Sequence, residues 1–366
     1  MKIILLVAGG RGGSDFFQGL LDGHSQILQF PGYLRIDKDF DEMMHLGNSI
    51  EIAKNFTNIY PEYFNSKLNT LERHGHLGKN KNKSYKVNKD KFIKNFSLLS
   101  KNKIGRNKIE ILKDLHIAYS LAKGEKKCKK KILFVHTHLL GYTKEFIRTI
   151  KAKDIVIIHT IRHPLASINS PIKNWLTFEN GRNFFSKDLH FQLDLVFNGI
   201  FDLINLKKKV YVIQYEKLHW ENTHTMKDFC KIFKLKYEKC LKSSTYFGYQ
   251  WWGDRISQRW VSGVNKNFKI TIDKKLFYNR DLLFFQFLAD KIIKFYNYET
   301  FFAKRKNYFN FIPMKCEILV WKNAFKHRRW KQILSIPVFY VIRIFIINKF
   351  MMKNIKFPYS IGSRRK

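Results

Sequence analysis

The chain has 366 residues, enough to bury one large hydrophobic core or two modest ones, and its 68 Lys and Arg against 29 Asp and Glu give a formal charge of +39. Its four cysteines, Cys128, Cys230, Cys240 and Cys316, form no close pair and no metal-ligand spacing, which excludes a disulfide-stapled scaffold and a cysteine-bound structural metal and fits a reducing compartment. The charge points to nucleic acid, an anionic membrane or polyanionic substrates, or equally to a lysine-rich coding bias spread over the surface, so only a local cluster counts as a site.

In chain order, Ile3 to Val7 is an apolar run cut off by glycine and reads as a buried strand. It is shorter than a signal-peptide core of about 7–15 residues, so the protein is expected to stay in the cytoplasm. Gly9, Gly10, Gly12 and Gly13 flank Arg11, allowing a sharp turn and close approach to a ligand. Ser14 or Asp15 can then cap a helix with Phe16, Phe17, Leu20 and Leu21 on one face. Strand, glycine turn with a cation, and helix start together make an anion site. It is not the nucleotide-triphosphate loop GxxxxGK[ST], because no lysine follows the last glycine.

Ile27 to Phe30 is a short second strand, and 35–124 is largely helical in pattern, interrupted by a polar tract, Gly75 to Asn88, that reads as an exposed loop or disordered insertion. After the solvated run KGEKKCKKK, Ile132 to Val135 is a strand ending in His136-Thr137-His138-Leu139. Ile155 to Ile161 is apolar throughout, the mark of a central parallel strand, and Arg162-His163-Pro164 follows, with Ser170 eight residues after the arginine. Val210 to Ile213 is a further strand, ending at Gln214-Tyr215-Glu216-Lys217-Leu218. Strands alternating with helices predict an α/β protein, a central parallel β-sheet flanked by helices, with these polar residues at the carboxyl ends where ligands bind.

Five stretches resemble sulfotransferase motifs. Gly10 to Asp15 occupies the places of the 5′-phosphosulfate loop P-[KR]-S-G-[TS]-[TS], departing at Gly10, Gly12 and Asp15. Arg162-His163-Pro164 with Ser170 resembles the 3′-phosphate motif, departing only in Pro171 after the serine. His136-Thr137-His138-Leu139 resembles the Lys-Thr-His-Leu segment whose histidine is the general base. Tyr215-Glu216-Lys217-Leu218 is similar to the family's Tyr-Glu-x-Leu, with a packing role, and Gly248 to Arg255 resembles a tryptophan-glycine segment ahead of a donor-covering loop.

The resemblance spans about residues 1–270 and implies a P-loop NTPase-like sulfotransferase fold, with 3′-phosphoadenosine 5′-phosphosulfate (PAPS) as sulfate donor and no metal. Arg11, Gly12, Gly13, Ser14 and Asp15 would hold the phosphosulfate, with Arg11 also catalytic. Arg162 and Ser170 would hold the 3′-phosphate, and His138 would act as base. Arg255, Arg259 and Lys266 would add charge, and Trp251 or Trp252 would either stack on adenine or pack in the core. The expected organisation is a sulfotransferase domain over 1–300, with a helical and basic insertion at about 35–130, and a basic, apolar extension over 301–366.

Two rivals are an ATP-dependent P-loop nucleotide kinase, which lacks its lysine and acidic magnesium site here, and a basic nucleic-acid-binding protein, for which no specific motif is present. In the tail, Ile333 to Ile347 is apolar but contains Pro337 and Arg343, short of the ~20 residues that span a bilayer. Flanking cations allow an interfacial helix on anionic lipid, or a basic amphipathic helix packed on the domain. Membrane binding would put the protein peripherally on the inner face, with a glycan or glycolipid as acceptor.

Overall fold

The structure, a computed structural model, describes residues 1–8, 11–46, 48–100, 107–125, 130–151, 154–178, 184–302, 312–351 and 356–363. Gly9, Gly10 and Cys128 lie outside the described residues.

Five parallel strands form the central sheet: β1 (Lys2–Ala8), β2 (Ile27–Leu28), β3 (Ile132–His138), β4 (Ile155–Ile161) and β5 (Lys209–Gln214), in the order β2-β3-β1-β4-β5. The principal helices are α1 (Ser14–Leu20), α2 (Ser49–Ile59), α3 (Lys89–Ser100), α4 (Lys108–Ala122), α5 (Pro164–Thr177), α6 (Ser186–Ile204), α7 (Asn222–Phe233), α8 (Asn279–Leu288), α9 (Lys315–Lys326) and α10 (Trp330–Met351), with shorter turns of helix between them.

The strands alternate in the way that a sheet covered on both faces requires. Ile3, Leu5 and Val7 of β1 pack with α2, α3 and α4 on one face, while Ile4 and Leu6 pack with α1 and α7 on the other. Because both faces of β4 are covered, all seven of its residues are buried, which is why its sequence shows no alternation. A third cluster joins α5, α6, α8, α9 and α10 beyond the β5 side.

Two segments differ from expectation. The polar tract 75–88 is docked: Leu77 and Tyr85 are buried, Tyr85 stacks on Phe247 with centroids 3.7 Å apart, and the Gly78 amide donates to the Gln250 carbonyl. Val87 is buried as well, so three apolar side chains of the tract reach the core. The tail helix α10 runs for 22 residues, long and apolar enough by length and composition to cross a membrane. It packs instead along α6 through one face. Beyond it the chain returns to the sheet edge, where Tyr359 and Ile361 bond with Val212 of β5.

Candidate active site

The carboxyl ends of β1, β3, β4 and β5 open into one cleft of about 1000 Å³, the place where parallel sheets bind ligands. It is lined by Arg11, Gly13, Ser14, Asp15, His138, Arg162, Ser170 and Arg259. Gly12 is buried in the turn, away from the cleft lining. Arg255 is separated from the other predicted residues. The side chain of Asp254 accepts from the Ser257 amide to close a tight turn, the Arg255 amide is tied to the Leu71 carbonyl, and its exposed guanidinium lies over Phe178.

Among the described residues of the turn after β1, Arg11 (φ 46°) and Gly13 (φ 80°) are left-handed. Gly13 is needed twice over, since a Cβ there would also sit 2.1 Å from the Tyr215 ring. Arg11 Nη2 pairs with Asp254 Oδ2 at 2.8 Å. Burial pulls the guanidinium pKa down, but Asp254, Glu72 and Asp15 outweigh it and hold the group above its ordinary value. Burial, reinforced by Asp15 and Asp254, pushes the Glu72 carboxyl well above the usual carboxylate range. Asp15 is the opposite case: burial raises it, yet His136, His138 and Arg11 together hold it below its ordinary value.

His138 ends β3 in an unusual backbone. The pairing of β1 with β3 slips so that Leu6 faces His136 and Val7 faces His138, leaving Thr137 out of register. The Leu139 amide then donates to the Thr137 carbonyl at 2.6 Å, a γ-turn centred on His138 with φ 57°. A bulge at a strand end re-aims its side chain, and this one brings His138 to the cleft wall. The His138 Nδ1 is buried with no hydrogen-bond partner, and the ring lies 5.3 Å from that of Tyr33. Burial lowers its pKa; Asp15 opposes that and Arg11 adds to it. His136 Nδ1 contacts Gln18 Oε1 at 3.0 Å and lies 3.8 Å from Asp15 Oδ1, and burial takes its pKa down to about 4. Asp15, His136 and His138 each offer a ligand atom, all within 4.8 Å of one another, a donor set of the kind that holds a divalent ion.

Arg162 follows β4, next to β1 in the sheet. Its Nε is buried without a partner, and its guanidinium lies over Tyr215 and Phe268 at 5.4 and 5.7 Å. The backbone behind it is fixed by Glu216, whose Oε1 accepts from the His163 amide at 2.8 Å; burial raises the carboxyl of Glu216 above its ordinary value. Nearly two turns into α5, Ser170 accepts from Asn174 at 3.5 Å. Tyr215 therefore touches both ends of the site: its ring fills the space at Gly13 and underlies Arg162. Both tryptophans are held by protein. Trp251 lines the cleft but is buried, with Nε1 donating to the Glu72 carbonyl, and Trp252 donates to Gly78.

Sequence reasoning missed Asp254, Glu72 and Tyr33 as cleft residues and read Tyr215 as packing alone. Asp254 stood within the quoted Gly248–Arg255 stretch and Tyr215 at a strand end, so position alone signalled them. Glu72 lies just ahead of the docked tract and is held at the cleft through its carbonyl, which accepts from Trp251 Nε1, and no sequence pattern signals it.

No family model matches the chain, and no curated protein matches it. Two solved structures align with it at 14% identity: the sulfotransferase domain from the Synechococcus PCC 7002 olefin synthase (70% of this chain, 79% of that one, TM-score 0.36) and the sulfotransferase domain from the curacin biosynthetic pathway (88% and 98%, TM-score 0.35).

Proposed function

We propose that the protein transfers a sulfuryl group from PAPS to an acceptor hydroxyl of a glycan or glycolipid. The observation that carries the reading is that Arg11 with its glycine turn and Arg162 with Ser170 line a single cleft on the adjacent strands β1 and β4. Two anions borne by one nucleotide can then be gripped at once, each by a guanidinium. The buried, unpartnered Nε of Arg162 fits that role, since an anion would satisfy it.

On this reading Arg11 and the amides of Gly13 and Ser14 hold the 5′-phosphosulfate, with Asp15 fixing the histidines beside it. The sulfur–oxygen bond to the 5′-phosphate breaks as a new one forms to the acceptor oxygen. Arg11 neutralises the departing bridging oxygen, exchanging its contact with Asp254 for one with the donor. Burial raises the Glu72 carboxyl well above the usual carboxylate range, which lessens the negative charge it sets against that anion. His138 takes the acceptor proton through a neutral imidazole. Trp175 and Phe191 offer faces, and Lys173, Lys274 and Lys275 donors, of the kinds that sugars engage. The free thiols Cys230, Cys240 and Cys316 accord with a cytoplasmic setting.

The test is binding and turnover. 3′-Phosphoadenosine 5′-phosphate should raise the melting temperature where ATP does not, and Arg162→Ala should abolish that shift. Arg11→Ala should lower sulfuryl transfer by roughly 10²–10³-fold with melting unchanged. Chelators should leave turnover intact. Stabilisation by ATP alone, or turnover unaffected by Arg11→Ala, defeats the reading. Activity lost to a chelator and restored by zinc makes Asp15, His136 and His138 a metal centre instead.

A further inference from the structure

Helix α10 is inverted relative to an ordinary surface helix. The face turned to the domain carries Arg343, Ile347 and Phe350, all buried. Arg343 Nε pairs with Glu317 Oε1 of α9 at 2.9 Å with both side chains 1% exposed, and Glu317 also meets His190 of α6 at 3.3 Å. The opposite face should be charged. It carries Trp330 (67% exposed), Leu334 (77%), Val338 (58%), Val341 (49%), Ile342 and Phe345 (68%). At 100° per residue these six fall in one sector of roughly 120°, centred opposite the buried three.

Along α10 itself the exposed charged side chains are all cations. Exposed Lys331 and Lys349 lie in the same sector at its two ends, and Lys326 and Arg328 are exposed just before it. From Lys315 to the last residue the only carboxylate side chain is Glu317, and it is buried. Phe325, 56% exposed, extends the apolar surface onto α9.

We propose that α10 docks this protein on the surface of an anionic lipid bilayer, lying in the plane of one leaflet. The apolar stripe enters the boundary between headgroups and acyl chains, and the lysines and arginines meet lipid phosphates. A tryptophan at the end of the stripe suits that depth. The helix does not cross the bilayer: spanning would strip its other face from α6 and carry Arg343 into hydrocarbon. A second copy is a poor occupant, since pairing two such faces would bring the cations of both together in a chain of net charge +39. This inference stands apart from the reading of the cleft.

The test is flotation of the full chain with vesicles of phosphatidylcholine alone or of equal parts phosphatidylcholine and phosphatidylglycerol. The protein should float with the mixed vesicles, less so as salt rises. The double substitution Leu334→Asp with Phe345→Asp should weaken binding at least about tenfold while leaving melting and nucleotide binding as in the parent. Lys331→Glu with Lys349→Glu should remove the preference for anionic lipid. If the aspartate variant folds poorly, quenching of the parent by brominated lipid, lost in Trp330→Phe, reads the same contact. Failure of the parent to float, flotation unchanged in the aspartate variant, or a dimer seen by light scattering and lost in that variant each overturns the proposal.

Discussion

His138 is held by a γ-turn at a strand bulge, a backbone that histidine tolerates better than most residues yet still at a cost. What the distortion gains is a half-buried imidazole at the cleft wall whose buried Nδ1 has no partner. Burial keeps the ring neutral below its ordinary range, while Asp15 pulls the other way. Transfer should therefore be level from neutral pH upward and fall only below the usual histidine value of about 6.5. Asp15→Asn removes the group that raises His138, so the acid limb should move to still lower pH. His138→Ala should cost roughly 10²–10⁴-fold in kcat with 3′-phosphoadenosine 5′-phosphate binding unchanged. The measurement is kcat against pH, read in the first seconds after a pH jump. A limb that stays put in Asp15→Asn, or moves up, assigns the proton transfer elsewhere.

At the scale of elements, α10 is attached by a charge pair as well as by apolar contact. Arg343 and Glu317 are both buried, so removing the arginine strips Glu317 of its guanidinium and leaves it only His190 and the Met314 amide. Arg343→Ala should destabilise the protein by about 3–5 kcal/mol, whereas Arg343→Met together with Glu317→Gln should be nearly neutral; urea unfolding measures both. Equal losses in the two variants would mean that packing, not charge, holds the helix. No local pattern announces this pair, since its partners sit 26 residues apart on different helices. What the chain does announce follows from burial. The run Ile155–Ile161 reads as a central strand because both of its faces are covered, and the strand-end positions of Arg11, His138 and Arg162 follow from the same alternation of strand and helix. The glycine turn was legible, but not that Arg11 itself adopts the left-handed conformation. The bulge at His138, the docking of residues 75–88 and the arrival of Glu72 depend on contacts remote in sequence.

Over the whole molecule, charge and histidine burial act together. The cleft holds six Lys and Arg against four carboxylates, so most of the +39 lies on other surfaces and repels itself. The fold also buries histidines in neutral form. Burial takes His74 and His116 down to about 3 and His136, His159, His163 and His219 down to about 4. Their pKa values are depressed by folding, so the stability they permit is complete above the unfolded value of about 6.5 and is lost as pH falls toward the folded values. Within that window the unfolded chain binds the extra protons. Each histidine then costs about 1.4 kcal/mol per pH unit, or roughly 8 kcal/mol for the six at about pH 5.5, against a typical total of 5–15 kcal/mol. Each proton taken up also adds to an existing positive excess. Acid unfolding, followed by circular dichroism, should thus centre at about pH 5 to 6, above the carboxylate range, with an uptake of several protons. A chain still folded at about pH 4 would show that these rings find partners or water on protonation, and that their burial sets no acid limit.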